Sequence, residues 1–201
     1  MYEYTDKVIR YLTKQIIRTF GNAKVSLLSF DELNVLDYSA DLYKRLEKIT
    51  FESFWLIAKK TYKDNLTKGK SGKITRKWLE AFLLEYNPVT KYVYQHEVDR
   101  KRGRFEESVI AAVDNKAAEV DAGMRLWSKM ANQYAVEVTD AAAMKAYTDS
   151  GVERVMWVTE PDERRCKECA KREGQIYNIA RVPPKPHINC RCRVVPYLFD
   201  E

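Results

Sequence analysis

W-V-T-E-P-D-E-R-R-C-K-E-C-A-K-R-E-G-Q-I-Y-N-I-A-R-V-P-P-K-P-H-I-N-C-R-C-R-V-V-P, residues 157–196, is the stretch that divides this chain into two kinds of sequence. All four cysteines, Cys166, Cys169, Cys190 and Cys192, lie in it, together with His187, one of two histidines. A C-x-x-C turn lets two sulfurs reach one ion, and H-x-x-C-x-C supplies the other half of a tetrahedral site. Cys190 and Cys192, two apart on extended chain, point to one side. The spacing predicts a structural zinc site made of Cys166, Cys169, His187 and Cys190. A second set has Cys192 in the place of His187, and in either the group left over packs behind the ion. Pro183, Pro184 and Pro186 stiffen the approach to His187 and reduce the entropy lost on ordering it.

Outward from that centre, alternating β-branched residues predict short strands over 152–159, 175–179 and 192–198. Residues 151–201 are therefore expected to form a small, zinc-stabilised, β-rich C-terminal module. So small a module has little core and needs a staple. Structural zinc contributes about 10–16 kcal/mol in small fingers. A catalytic zinc keeps an open position with a general base nearby. Glu168 and Glu173 sit in charged sequence expected to be exposed, and the deaminase pattern H-x-E…P-C-x-x-C is absent. No enzymatic activity and no small-molecule substrate are expected.

Residues 1–150 read as an elongated, mainly α body of about five or six helices, with possible subdivision near 68–74 or 87–91. Ile9, Leu12, Ile16, Ile17 and Phe20 mark a helix over 4–20 with Gly21-Asn22 as its stop. Ser29 to Glu32 fits a capping box opening a long helix, with a break near 37–39. Its apolar stripe runs through Leu42, Leu46, Ile49, Phe54, Ile57 and Ala58. A shorter helix over 75–86 should end at Asn87-Pro88. The alanine-dense stretch 105–150 predicts one or two long helices, then a short one over 139–148 closed by Gly151 as its C′ residue. Residues 97–107 carry both charge signs at three- and four-residue spacing, as on a solvated helix, and His96 is assigned no chemistry.

The net charge of +6 favours an acidic partner without naming it. Lys59, Lys60, Lys63, Lys68, Lys70, Lys73, Arg76 and Lys77 face only one acid, Asp64, in their segment. Arg100, Lys101, Arg102 and Arg104 form a second basic group. Both are candidate contacts for DNA phosphates or an acidic protein surface. The G-K-S-G at 69–72 lacks the spacing of a nucleotide-binding P-loop. No run approaches the roughly 20 apolar residues of a membrane span, and charges interrupt every apolar run near the N-terminus. Synthesis in the cytosol is expected, where clustered cysteines hold metal more often than they form disulfides.

The order W-V-T-E-P-D (157–162), C-K-E-C (166–169), G-Q-I-Y (174–177) and P-P-K-P-H-I-N-C-R-C (183–192) resembles the C-terminal region of Mu F-like phage head morphogenesis proteins, the minor capsid proteins. The likeness is distinctive over about the last fifty residues and looser over 90–150, where Tyr92, Glu97, Arg100, Lys101 and Arg104 and the alanine-rich helices carry it. The first eighty residues carry none. The resemblance implies a virion component made in the host cytoplasm and acting at the portal vertex or inner head, in assembly, DNA packaging or delivery. Its partners would be the portal, other head proteins and packaged DNA bound without sequence preference, with no membrane. The alternatives from the residues alone are a zinc-containing nucleic-acid-binding protein and, behind it, a zinc-dependent hydrolase or nuclease.

Overall fold

The structure is a computed structural model that describes residues 2–27, 32–112, 114–159, 166–188 and 190–197, with backbone alone over 25–27 and 32–34. Four long helices carry the architecture: α1 (Tyr2–Leu27), α2 (Glu32–Asn65), α4 (Tyr94–Ala111) and α5 (Lys116–Asp149). A short helix, α3 (Arg76–Leu84), packs on α2 and α4. At 34 residues each, α2 and α5 are about 50 Å long. The body is thus elongated, as expected.

A chain of rings joins the four long helices. Phe20 of α1 meets Phe105 of α4 edge-on at 6.0 Å, Phe105 meets Tyr43 of α2 at 5.6 Å, and Tyr43 meets Trp127 of α5 at 5.2 Å. The indole N–H of Trp127 donates to Thr50 Oγ1 at 3.2 Å, so its polar atom is satisfied inside the core. Leu12, Ile16, Leu46 and Ile57 are fully buried around these rings. Each such side chain contributes about 1.5–3 kcal/mol. Phe105 can lie against α5 because residue 123 is glycine: a Cβ there would stand 2.5 Å from the Phe105 ring.

Four local expectations are corrected. Helix α1 continues through Gly21-Asn22, because Ala23 is buried in the core and Lys24 pairs with Asp121 of α5 at 3.0 Å. Helix α2 is unbroken at 37–39: Val35 and Ser39 are buried, and the Ser39 hydroxyl lies within reach of Glu106 and the Leu36 carbonyl. Helix α3 ends at Leu84, before Asn87-Pro88. Asn87 instead belongs to a two-residue ribbon, β1 (Tyr86–Asn87) with β2 (Tyr92–Val93), and its Oδ1 accepts from the Val89 and Thr90 amides. Helix α5 runs without interruption through 139–148, since Ala142, Ala143 and Ala146 are buried along it. The capping serine expected at Ser29 lies outside the described residues.

The exit from α5 is as expected. Gly151 adopts φ 76°, the Gly151 amide bonds to the Thr148 carbonyl and the Val152 amide to the Tyr147 carbonyl. This is a Schellman close with Val152 and Tyr147 packed together. The chain then enters β3 (Arg154–Val158), the centre of an antiparallel sheet with β4 (Ile176–Asn178) on one side and β5 (Arg193–Pro196) on the other. Between β3 and β4 lies the one-and-a-half-turn α6 (Lys167–Arg172). Val155 and Trp157 share one face of β3. Val155 packs on Ala143 and Tyr147 of α5, and Trp157 packs on Cys169, Cys190 and Cys192.

Candidate metal centre

Cys166 caps the N-terminus of α6: its sulfur accepts from the Cys169 amide at 3.3 Å. That bond, with further donors around it, lowers the Cys166 thiol to about 7. A thiolate is the form that binds metal. One turn on, Cys169 points inward and is buried. Its sulfur stands 3.5 Å from His187 Nε2 and 3.5 Å from Cys190 Sγ. Burial pushes the Cys169 and Cys190 thiols up, so as free thiols both stay protonated.

Two triads of donors result, Cys166–Cys169–His187 and Cys169–Cys190–Cys192, each with its atoms within 4.8 Å of one another. Cys169 belongs to both. A zinc ion with sulfur ligands at about 2.3 Å sets edges of about 3.8 Å between them. The two 3.5 Å separations are close to such edges. His187 adds a further fit. With the proton on Nδ1 it donates to the Ile188 carbonyl at 2.9 Å, leaving the Nε2 lone pair toward Cys169. Metal-binding histidines are oriented in this way by a carbonyl on the far nitrogen. The cluster can hold a metal ion, and soft sulfur with imidazole suits zinc.

Among the described residues, the two acids singled out near the cysteines, Glu168 and Glu173, are committed elsewhere. Glu168 pairs with Lys171 at 2.8 Å, and Glu173 accepts from the Thr159 amide at 2.7 Å and from its hydroxyl. Neither aims a free carboxylate at the sulfurs.

Behind the cluster is a polar knot that the sequence pattern did not single out. The Tyr2 hydroxyl donates to Asp140 Oδ1 at 2.6 Å and lies 3.1 Å from the Cys192 carbonyl. Lys185 Nζ donates to the Tyr2 hydroxyl at 2.8 Å and to the Cys190 carbonyl at 3.0 Å, and pairs with Asp140. Burial raises the Asp140 carboxyl and the Tyr2 phenol, with Lys185 opposing the shift at Asp140. The available signals were an acid just ahead of an alanine run and a lysine between prolines.

The two basic groups differ once folded. Arg76 forks onto Glu52 with two bonds of 2.7 Å, over the rings of Phe51 and Trp55, and Lys60 pairs with Asp64. Lys59, Lys63, Lys68, Lys70, Lys73 and Lys77 are exposed, with no ion pair among the described residues. The loop after α2 folds back along it: Arg76 meets Glu52, and Gly72 sits against the Tyr62 hydroxyl. In the second group, Arg100 and Lys101 pair with Glu97, and Arg102 with Glu106. Glu97 and Lys101 are only 13% and 14% exposed, so that face of α4 is packed, not solvated as expected. Arg104 alone of that group is exposed.

A long four-helix body with a Cys/His centre beside a small C-terminal sheet defines an α-helical protein with a metal-type knuckle at its C-terminal end. The chain belongs to the family of Phage Mu protein F like proteins, whose family model matches residues 59–195. That span takes in the last two turns of α2, all of α3 to α5 and all five donors, and it begins further upstream than the sequence resemblance reached. No curated protein and no solved structure matches the chain. Among the described residues no helix is long and apolar enough to cross a membrane.

Proposed function

We propose that this is a structural minor protein of a phage or prophage head, acting in head morphogenesis with the portal and other head proteins in the virion. The family match over most of the chain carries the reading. Residues 1–150 serve as the body that makes contacts, and residues 151–201 as a module held by a structural zinc ion. We assign Cys166, Cys169, His187 and Cys190 as its ligands, supported by the orientation of His187, with Cys192 as the alternate or supporting sulfur. Five donors for four places fill the coordination shell, which supports a closed structural ion over a catalytic one. Co-purification with the portal protein, with one zinc per chain by elemental analysis, is the expected result. Absence of the protein from purified particles defeats the head reading.

A second contact, with packaged DNA, is favoured by the six exposed lysines of α2, the loop after it and the start of α3 that have no ion pair among the described residues. Retention on non-specific DNA should weaken steeply with salt, and charge reversal at Lys59, Lys63 and Lys73 should flatten that dependence. Retention unchanged by these substitutions assigns the strip to an acidic protein surface instead.

A further inference from the structure

We propose that Lys185 is a positioning residue that couples metal binding in the C-terminal module to its closure on the start of α1; this rests on the metal reading above. Lys185 stands two residues before His187 and five before Cys190, on the loop that brings both to Cys169. Its side chain is 10% exposed, and its ammonium is shared among three separate pieces of chain. One is Asp140 on α5, the second is Tyr2 on α1, and the third is the Cys190 carbonyl on the donor loop itself. The ring of Tyr2 lies beneath the ammonium at 5.2 Å. The Tyr2 hydroxyl then reaches the Cys192 carbonyl at 3.1 Å, closing a ring of contacts around the loop.

The physical consequence is linkage. A buried ammonium is stable only with its partners in place, and its partners here belong to the bundle and to the loop together. Setting Cys190 and His187 around an ion fixes the backbone on which Lys185 sits. That places the ammonium between Asp140 and Tyr2. The reverse also holds: with Lys185 seated, the loop is held in the shape that presents Cys190 to Cys169. Groups that orient ligands in this way typically change metal affinity by about 10- to 100-fold. The knuckle is then a clasp, and the first turn of α1 is what it fastens to.

The test uses the full chain, with and without zinc. Amide exchange is followed in the first two turns of α1 and over 166–196, and zinc affinity is read by competition with a chromophoric chelator. In the wild type, zinc should slow exchange both in the module and in α1. In Lys185→Met, Asp140 is left buried without its counter-charge, so the double variant Lys185→Met/Asp140→Asn is measured beside it to remove that charge. The double variant should keep the helical signal of the bundle, bind zinc about 10- to 100-fold more weakly, and lose the zinc-dependent slowing in α1. Zinc affinity and α1 protection equal to wild type in the double variant would overturn the coupling while leaving the metal site standing. A wild-type chain that binds no zinc overturns the metal reading and the coupling with it.

Discussion

Cys169 is the residue on which the centre turns, because it is the only donor common to both triads. Replacing it with serine removes a sulfur that both candidate ligand sets use. Zinc should therefore be lost outright from Cys169→Ser, as read by elemental analysis. Cys192→Ser should keep the metal with affinity lowered by no more than about 100-fold, the range for supporting residues. Equal loss in both would make Cys192 a full ligand and displace His187. Asp149 gives the acid-side counterpart. Hydrogen bonds from the Tyr62 hydroxyl and Lys145 outweigh its burial and hold its carboxyl below the ordinary aspartate value. Between the folded and unfolded values the unfolded chain binds more protons, so this contribution is present above about pH 4 and is lost as pH falls further. Asp149→Asn should cost about 1 kcal/mol in urea unfolding at pH 7 and markedly less near pH 3. The donor residues were legible from spacing alone. Their sharing through Cys169 was not, since spacing along a chain carries no distances between its two halves.

At the level of elements, the long helices were legible as apolar stripes, and their ends were misplaced wherever burial overrode a local stop signal. Gly21-Asn22 is a good helix end in an isolated peptide, yet one residue later Ala23 enters the core, and breaking the helix would expose it. The same holds at Ser39, whose hydroxyl finds Glu106 on α4. Gly123 shows the opposite case, a helix-weakening residue kept inside α5 because Phe105 lies against it. Gly123→Ala should destabilise the bundle by about 1–3 kcal/mol in chemical unfolding, despite alanine's better helix propensity. A gain in stability would mean that α4 withdraws from α5 at little cost. The charged run 97–107 was misread because alternating signs look alike on a solvated face and on one whose pairs are folded against a neighbour.

Over the whole molecule, the bundle is held by apolar burial and the C-terminal sheet by two small clusters, one of them made of the cysteines. Chelation should therefore act unevenly. With a strong chelator, amide protection over 166–196 should collapse while the far-UV helical signal stays near that of the loaded protein. A cooperative loss of both would show that the sheet and bundle share one folding unit. The sequence by itself determined that the chain is a helical body followed by a Cys/His centre, because periodicity and ligand spacing are local and survive without neighbours. It also carried the family likeness, because motif order is a property of the chain alone. Only the tertiary structure decided which lysines have no ion pair among the described residues and where α1, α2 and α5 run on. It alone brought Tyr2, Asp140 and Lys185 to one point behind the cysteines. Those outcomes depend on contacts between residues as many as 190 apart, and a burial that one neighbour creates for another has no trace in either one's local sequence.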